Sequence, residues 1–400
     1  MSDRSDAAFV PRSAETWRDP FTMYRALRDH DPVHEVKSDG GDYWVLSRFD
    51  DVMEAAVDFA TFSSAQGLTF RYGEMEKLGV EAPIVMMDPP DHTALRKLAT
   101  PRFTPRQVRA VAPLVRAFVV ERVERLREMG EADVVAELFK PLPSFVVAHS
   151  LGVPQADRDR FDAWSDAIVS SNATGDVLGA EDAVGELFSY FAALIEKRRR
   201  DPADDMISTL VHAELDGRPV PPAQLLGMAF TMVTGGNDTT TGLLGVAAEL
   251  LTRNPAERAL LREEPARMKG AIEEFLRLSS PVQGLARTTT REVVIRGRTI
   301  PAGRKVMLLY ASGNRDERAF GPSAAECDIR RKIRRHLAFS YGAHHCIGAA
   351  IARLQASIAL EELLARCPDF AVDADAGRFA PGHFVRRFDS LPFSATGAAG

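Results

Sequence analysis

The chain has 400 residues, 45% of them hydrophobic and 26% charged, with 50 basic against 56 acidic side chains for a formal net charge of −6. That composition allows a substantial buried core, and its acidic balance argues against a nucleic-acid binder, whose footprint is basic. Three scattered cysteines argue against a disulfide framework and fit a reducing, cytoplasmic setting; no apolar run reaches the roughly 20 residues that span a bilayer, so no membrane partner is expected.

The polar opening stretch Met1–Ser13 lacks the apolar centre of a signal peptide. Length alone suggests two or three domains, yet no repeat, low-complexity segment or Gly/Ser linker divides the chain. Asp19–Asp29 reads as a short helix with Phe21, Tyr24 and Leu27 inward, Tyr43–Leu46 as a strand, and Phe49–Val57 as a second helix. From Ser63 to Asp88 the pattern dissolves. Gly67, Gly73, Gly79 and Pro83 alternate with Phe70, Tyr72, Met86 and Met87, which fits either a surface loop or the mobile wall of a pocket. His92 and Arg96 are one helical turn apart, so they share a face that could grip an anion or simply meet solvent.

Pro105–Gly130 is a long amphipathic helix, and helices follow over 141–151, 155–171, 181–199 and 203–214. Phe161, Trp164, Phe188, Tyr190 and Phe191 form core-packing stripes. Pro222–Thr252 is the longest apolar helix, interrupted by Thr234-Gly-Gly-Asn-Asp-Thr-Thr-Thr241. Close helix packing explains Gly235 and Gly236. It does not explain the adjacent acid and hydroxyls, because buried polar groups need partners or water. Glu274 and Arg277 lie three apart on the next helix, a spacing that usually marks a weak surface ion pair. Val293–Ile300, Pro301–Gly303 and Lys305–Tyr310 read as strands with turns. The basic run Arg330–Arg335 is either a solvated face or a dock for an acidic partner.

Phe339–Gly348 is a glycine-punctuated loop that runs into a helix carrying Ile351, Leu354, Ile358 and Leu363 on one face. Cys346 lies where this helix begins, and the unpaired N–H groups and dipole there favour a thiolate. Gly342 and Gly348 allow the backbone to approach a large flat ligand. By itself the pattern also fits a small buried cysteine, or zinc held by His336, His344, His345 and Cys346, although Cys327 and Cys367 lack zinc-knuckle spacing.

Phe339-x-x-Gly342-x-His344-x-Cys346-x-Gly348 resembles the haem-binding signature of the cytochrome P450 superfamily, with Ser340 standing where that pattern usually has glycine. The resemblance implies that residues 1–400 form a single catalytic domain with a mainly α P450 fold and a small β region, and haem b with Cys346 as its axial iron ligand. It gives Phe339, His344 and Gly348 cofactor-binding positions and assigns His92, Arg96 and Arg287 to the haem propionates. Gly235-Gly-Asn-Asp238-Thr239 resembles the family's oxygen-site motif. That likeness implies a local bulge over the haem with room for dioxygen, where Asp238 and Thr239 deliver protons. Glu274, Arg277 and Arg331 resemble the structural lock before the cysteine loop. The 63–88 segment would cap the distal pocket, with Phe70, Met86, Gly235 and Leu285 lining it, and part of 160–200 would roof it.

The implied activity is monooxygenation of a small apolar organic substrate. No flavin or iron–sulfur motif is fused to the chain, so electrons would come from a separate ferredoxin and ferredoxin reductase. Gly-Gly-Asn-Asp-Thr and Ser280–Arg287 look closest to an actinobacterial branch. Two alternatives stay open: a haem-thiolate enzyme that uses peroxide or rearranges its substrate without dioxygen, and a non-enzymatic haem sensor. Intact Asp238 and Thr239 count against the first.

Overall fold

The computed structural model describes residues 7–78, 82–174 and 181–397. Pro222–Arg253, the longest helix, runs through the interior because it is apolar nearly all round; Leu225, Val233, Leu243, Leu244, Ala247 and Leu251 are all buried. Pro105–Met129 begins at Thr104, whose hydroxyl accepts the Gln107 N–H, and ends at Gly130, whose φ of 73° only glycine adopts freely. It packs along Ala349–Arg366, which in turn lies against Pro222–Arg253 and Met268–Ser279. One core cluster joins Trp17, Val119, Leu138, Phe275, Leu363 and Phe393, so both ends of the chain share a single interior. A second joins Leu95, Phe161, Trp164, Leu187, Phe191 and Val233.

The main sheet has five strands in the order Val33–Val36, Tyr43–Leu46, Lys305–Leu308, Leu285–Thr289 and Phe62–Ser63. Lys305–Leu308 runs parallel to Tyr43–Leu46 and antiparallel to Leu285–Thr289, in a register that pairs Val306 with Trp44 on one side and Arg287 on the other. Tyr43–Leu46 and Lys305–Leu308, buried throughout, are plain in the sequence; the interior strand Leu285–Thr289 and the edge strands Val33–Val36 and Phe62–Ser63 are not.

Several expectations need correction. The 203–214 helix shrinks to Met206–Val211, because Asp205 caps it by accepting the Ser208 N–H and Glu214–Leu215 turns back in a hairpin with Arg218–Pro219. Val293–Ile300 is two strands, divided by a turn at Arg296 and Gly297, whose φ values of 48° and 75° are left-handed. Within Ser63–Asp88 there is a short helix, Glu74–Leu78, and a 3₁₀ turn, Ile84–Met86; Gly79 lies outside the described residues.

Candidate active site

Cys346 sits in the loop just before Ala349–Arg366, with Gly348 capping that helix, so it precedes the first turn instead of lying on it. The loop is folded back on itself: the Cys346 N–H donates to the Phe339 carbonyl at 2.9 Å. Gly342, at φ 69°, passes so close to Phe49–Val57 that a Cβ would meet the Ala56 carbonyl at 2.9 Å. Ser340 has φ 54° and ψ −171°, a conformation native to glycine, which gives the family's preference at this position a backbone cause.

The Cys346 side chain is accessible on one side yet surrounded by protein at longer range. Burial pushes the thiol up, against the pull of the Gly348 and Ala349 N–H groups and the Arg96 and Arg353 cations. The helix start therefore does not create a thiolate unaided, and a coordinated metal is what would complete the deprotonation. Among the described residues no group of three or more His, Cys, Asp or Glu side chains is arranged to hold a metal ion by itself. His336 turns to Glu273 and His344 to His92, which leaves the zinc reading without a ligand set.

A second set of residues converges beside the cysteine loop. The His92 and His344 rings lie 4.2 Å apart between centroids, tilted at 45°, and among the described residues His92 Nδ1 and His344 Nε2 are buried without hydrogen-bond partners. Burial lowers both histidines, His344 to about 3, with Arg287 beside His344 and Arg96 beside His92 adding to the effect; both rings are neutral at pH 7. Arg96 Nη2 donates to the His345 carbonyl at 2.6 Å and Arg287 Nη1 to the Ala286 carbonyl at 2.8 Å. Among the described residues, these guanidiniums bond to backbone carbonyls and to no carboxylate. A nearly buried Arg287 without an anion is costly, so the set fits a ligand that brings its own carboxylates. A soft sulfur on one side, two orphaned imidazole nitrogens and two unmatched guanidiniums together suit a haem.

The Pro222–Arg253 helix is continuous; the bulge expected at Gly235–Gly236 is absent. Its polar side chains bond back along the helix instead. Thr239 Oγ1 donates to the Gly235 carbonyl at 2.9 Å, Asn237 Nδ2 to the Val233 carbonyl at 3.0 Å, and Thr241 Oγ1 to the Asn237 carbonyl at 3.1 Å, with the Phe139 carbonyl of a neighbouring segment also 3.0 Å from Thr241 Oγ1. The two glycines differ. A Cβ on Gly236 would strike Val147 at 2.7 Å, so that glycine serves helix packing, whereas one on Gly235 meets nothing within 4 Å. Asp238 pairs with Arg387, Nε to Oδ1 at 2.6 Å. Burial still holds the Asp238 carboxyl above its ordinary range, with Arg387 and Lys140 offsetting only part of that rise.

Glu274 and Arg277 are fully buried and joined by a bidentate pair at 2.7 and 2.8 Å, not the surface feature their spacing usually marks. Arg277 also donates to the carbonyls of Asn314 and Glu326, and Arg331 Nε reaches Glu274 Oε1 at 3.2 Å. Of the four pocket candidates, Met86 belongs to the 3₁₀ turn Ile84–Met86, which packs against the Pro222–Arg253 helix that carries Gly235. Leu285 opens a strand of the main sheet, and the next residue, Ala286, donates its N–H to the carbonyl of Leu68, two residues before Phe70. Phe70 stacks on Tyr43 at 5.1 Å and touches Phe384 at 5.9 Å. It also lines a cleft of about 610 Å³ with Pro11, Val36 and Lys37, and none of the polar site residues lines that cleft. Sequence reasoning missed Arg387, Glu273 and Arg353 entirely, and it weighed His336 only as a zinc ligand. None of the four carries a local spacing that marks its partner.

Helices, sheet and cysteine loop define a haem-thiolate protein, and the chain belongs to the cytochrome P450 family, whose model matches residues 13–370; members of this family are haem-iron monooxygenases. It is 58% identical over 396 residues to Cytochrome P450 130 of Mycobacterium tuberculosis, covering 97% of this chain and 98% of that one. It is 35% identical over 390 residues to Vitamin D(3) 25-hydroxylase of Pseudonocardia autotrophica, covering 95% and 94%. Among solved structures, the Bacillus subtilis bacillaene polyketide synthase cytochrome P450 PksS superposes with a TM-score of 0.89 at 30% identity, covering 97% and 100%.

Proposed function

We propose that residues 1–400 form one catalytic domain that inserts an oxygen atom from dioxygen into a small apolar organic substrate. The observation that carries this reading is the convergence of His92, His344, Arg96 and Arg287, unmatched by carboxylates, beside the Cys346 loop. In it, Cys346 gives its sulfur to the iron of haem b, His92, Arg96 and Arg287 hold the propionates, and Phe339, His344 and Gly348 shape the rest of the cradle. Bound there, haem supplies the activation of dioxygen with two electrons. Asp238 exchanges protons at its carboxylate: a carboxyl raised by burial but tethered to Arg387 can both accept and release one. Thr239 keeps lone pairs free beyond its bond to Gly235 and can orient a proton donor. Glu274, Arg277 and Arg331 hold the segment that precedes the cysteine loop.

Phe70, Met86, Gly235 and Leu285 give the substrate apolar walls. A relative whose name gives vitamin D(3) as its substrate supports an apolar class. Electrons come from an acidic ferredoxin and its reductase. Arg330 and Arg331 are engaged with Glu257 and Glu274, so Lys332, Arg334 and Arg335 are the exposed cations that remain for docking. Arg335 reaches Met53 on the Phe49–Val57 helix, which also abuts the Gly342–His344 turn of the cysteine loop. Three free cysteines agree with a cytoplasmic setting, and among the described residues no helix is long and apolar enough to cross a membrane.

The test is a screen of apolar compounds against the haem-loaded protein, read as a Soret shift, followed by turnover of one accepted compound with a ferredoxin system under isotope-labelled dioxygen. Label in the product supports the reading. Product formed only with added peroxide, or without label, overturns it in favour of a peroxide-using or rearranging enzyme.

A further inference from the structure

Beneath the cysteine loop lies a three-way contact that the chemistry described so far does not use. Arg353 grips Glu273 with both arms of its guanidinium, Nε to Oε1 at 2.6 Å and Nη2 to Oε2 at 2.9 Å. His336 Nδ1 accepts the Ala338 N–H at 3.2 Å, which leaves the ring proton on Nε2, and Nε2 donates to Glu273 Oε2 at 3.0 Å. One carboxylate thus holds two side chains from two different segments. His336 begins the turn Leu337–Phe339, and Arg353 belongs to the first full turns of Ala349–Arg366, on opposite sides of Cys346. Arg353 also lays its guanidinium over the Phe339 ring, 4.5 Å from the centroid, and donates to the Ala349 carbonyl at 3.3 Å. Phe339 is the residue whose carbonyl takes the Cys346 N–H.

We propose that Glu273 is a positioning residue for Cys346: by clamping His336 and Arg353 together it fixes the Phe339 carbonyl and the Arg353 cation, and so sets how strongly the sulfur donates. The inference rests on the reading of Cys346 as the iron ligand. Burial alone would raise the Glu273 carboxyl, but its bonds to Arg353 and His336 hold it down to about 2, so it carries full charge in the working range. Its anion faces the same Arg353 cation that acts on Cys346. Removing that anion leaves Arg353 less neutralised, which favours the state with one more electron at the site. Removing the cation does the opposite.

Haem-loaded protein is titrated with dithionite to give the iron midpoint potential, and its reduced, CO-treated spectrum is recorded. Glu273→Gln, which keeps shape but not charge, should move the potential upward. Arg353→Met should move it downward and raise the fraction showing a thiol-type band. Opposite signs are the result expected of a charge clamp; a merely structural role gives no shift, or shifts of one sign, and either overturns the proposal. Where one variant does not fold, the sign of the other decides. A missing thiolate-type band in the unaltered protein instead removes the Cys346 assignment itself.

Discussion

Arg387, from the C-terminal part of the chain, places its Nε 2.6 Å from the Asp238 carboxylate in the middle of the longest helix, while its Nη1 reaches Asp389 at 3.1 Å. Arg387 is 5% exposed and Asp238 16%, so the pair is largely withdrawn from solvent. Breaking such a pair from one side strands the remaining charge, at a cost of about 3 kcal/mol.

Arg387→Leu should therefore destabilise the fold by about 3 kcal/mol at pH 7. The sign of the pH dependence follows from the raised Asp238 carboxyl. A folded-state value above the unfolded one means that Asp238 favours folding when protonated, and that this advantage fades as pH rises through the folded-state value. Without Arg387 that value climbs further, so the gap between wild type and variant should narrow as pH falls toward 5. Denaturant midpoints at pH 7 and pH 5 test this; a gap that does not change with pH would mean that Arg387 does not act through Asp238.

Ser340 occupies a backbone conformation that costs a residue with a Cβ about 1–3 kcal/mol. Its hydroxyl recovers little, through a 3.3 Å contact to the Tyr310 hydroxyl. Ser340→Gly should thus stabilise the protein by about 1 kcal/mol, seen as a higher denaturant midpoint with unchanged slope. An equal or lower midpoint would show that the Tyr310 contact outweighs the strain.

These cases separate what the sequence reveals from what it cannot. Glu274–Arg277 and His92–Arg96 are legible because helix geometry brings residues three or four apart to one face. The Asp238–Arg387 and Glu273–Arg353 pairs join segments far apart in the chain, and no periodicity foretells which buried acid meets which arginine. The extra structure at Arg296–Gly297 was hidden by a continuous β-prone stretch, in which only the left-handed pair breaks the strand. The expected bulge at Gly235 failed for another reason: the threonine hydroxyl and the asparagine NH₂ can donate to carbonyls one turn back without deforming the helix. Main helices and the cysteine loop were readable because they are local; the electrostatic wiring around them is tertiary.

Cys346→His should abolish the thiolate-type spectrum of the reduced, CO-treated protein, since burial pushes the Cys327 thiol up to about 12 and raises the Cys367 thiol, and both lie outside the loop. Haem content is measured alongside. A surviving thiolate-type band would reassign the iron ligand.

Arg334→Glu and Arg335→Glu should each raise the ferredoxin concentration needed for half-maximal reduction and leave the Soret response to substrate unchanged. Both side chains are exposed, unlike the engaged Arg331. Exposed charges are screened beyond about 10 Å at 0.1 M salt, so reduction of the unaltered protein should slow as ionic strength rises. Salt-independent reduction would remove this surface from the electron route.

Thr239→Ala tests the proton route against simple packing. Among the described residues the hydroxyl's one partner is the Gly235 carbonyl at 2.9 Å, which already accepts within the helix, so its loss should change stability by no more than about 0.5 kcal/mol. If Thr239 serves only the helix, reductant, product and released hydrogen peroxide should keep their proportions. If it orients a proton donor beside the open face at Gly235, the variant should consume reductant at a near-normal rate, release more peroxide and form less product. Asp238→Asn should behave differently, because it removes the exchangeable proton instead of its orientation: turnover should slow, with a larger solvent isotope effect. The two signatures can be read in one assay with an accepted substrate, a ferredoxin system, and reductant, peroxide and product measured together. An unchanged product-to-reductant ratio in Thr239→Ala would return the hydroxyl to packing and shift attention to Asn237 on the same helix, whose Oδ1 is buried without a hydrogen-bond partner among the described residues.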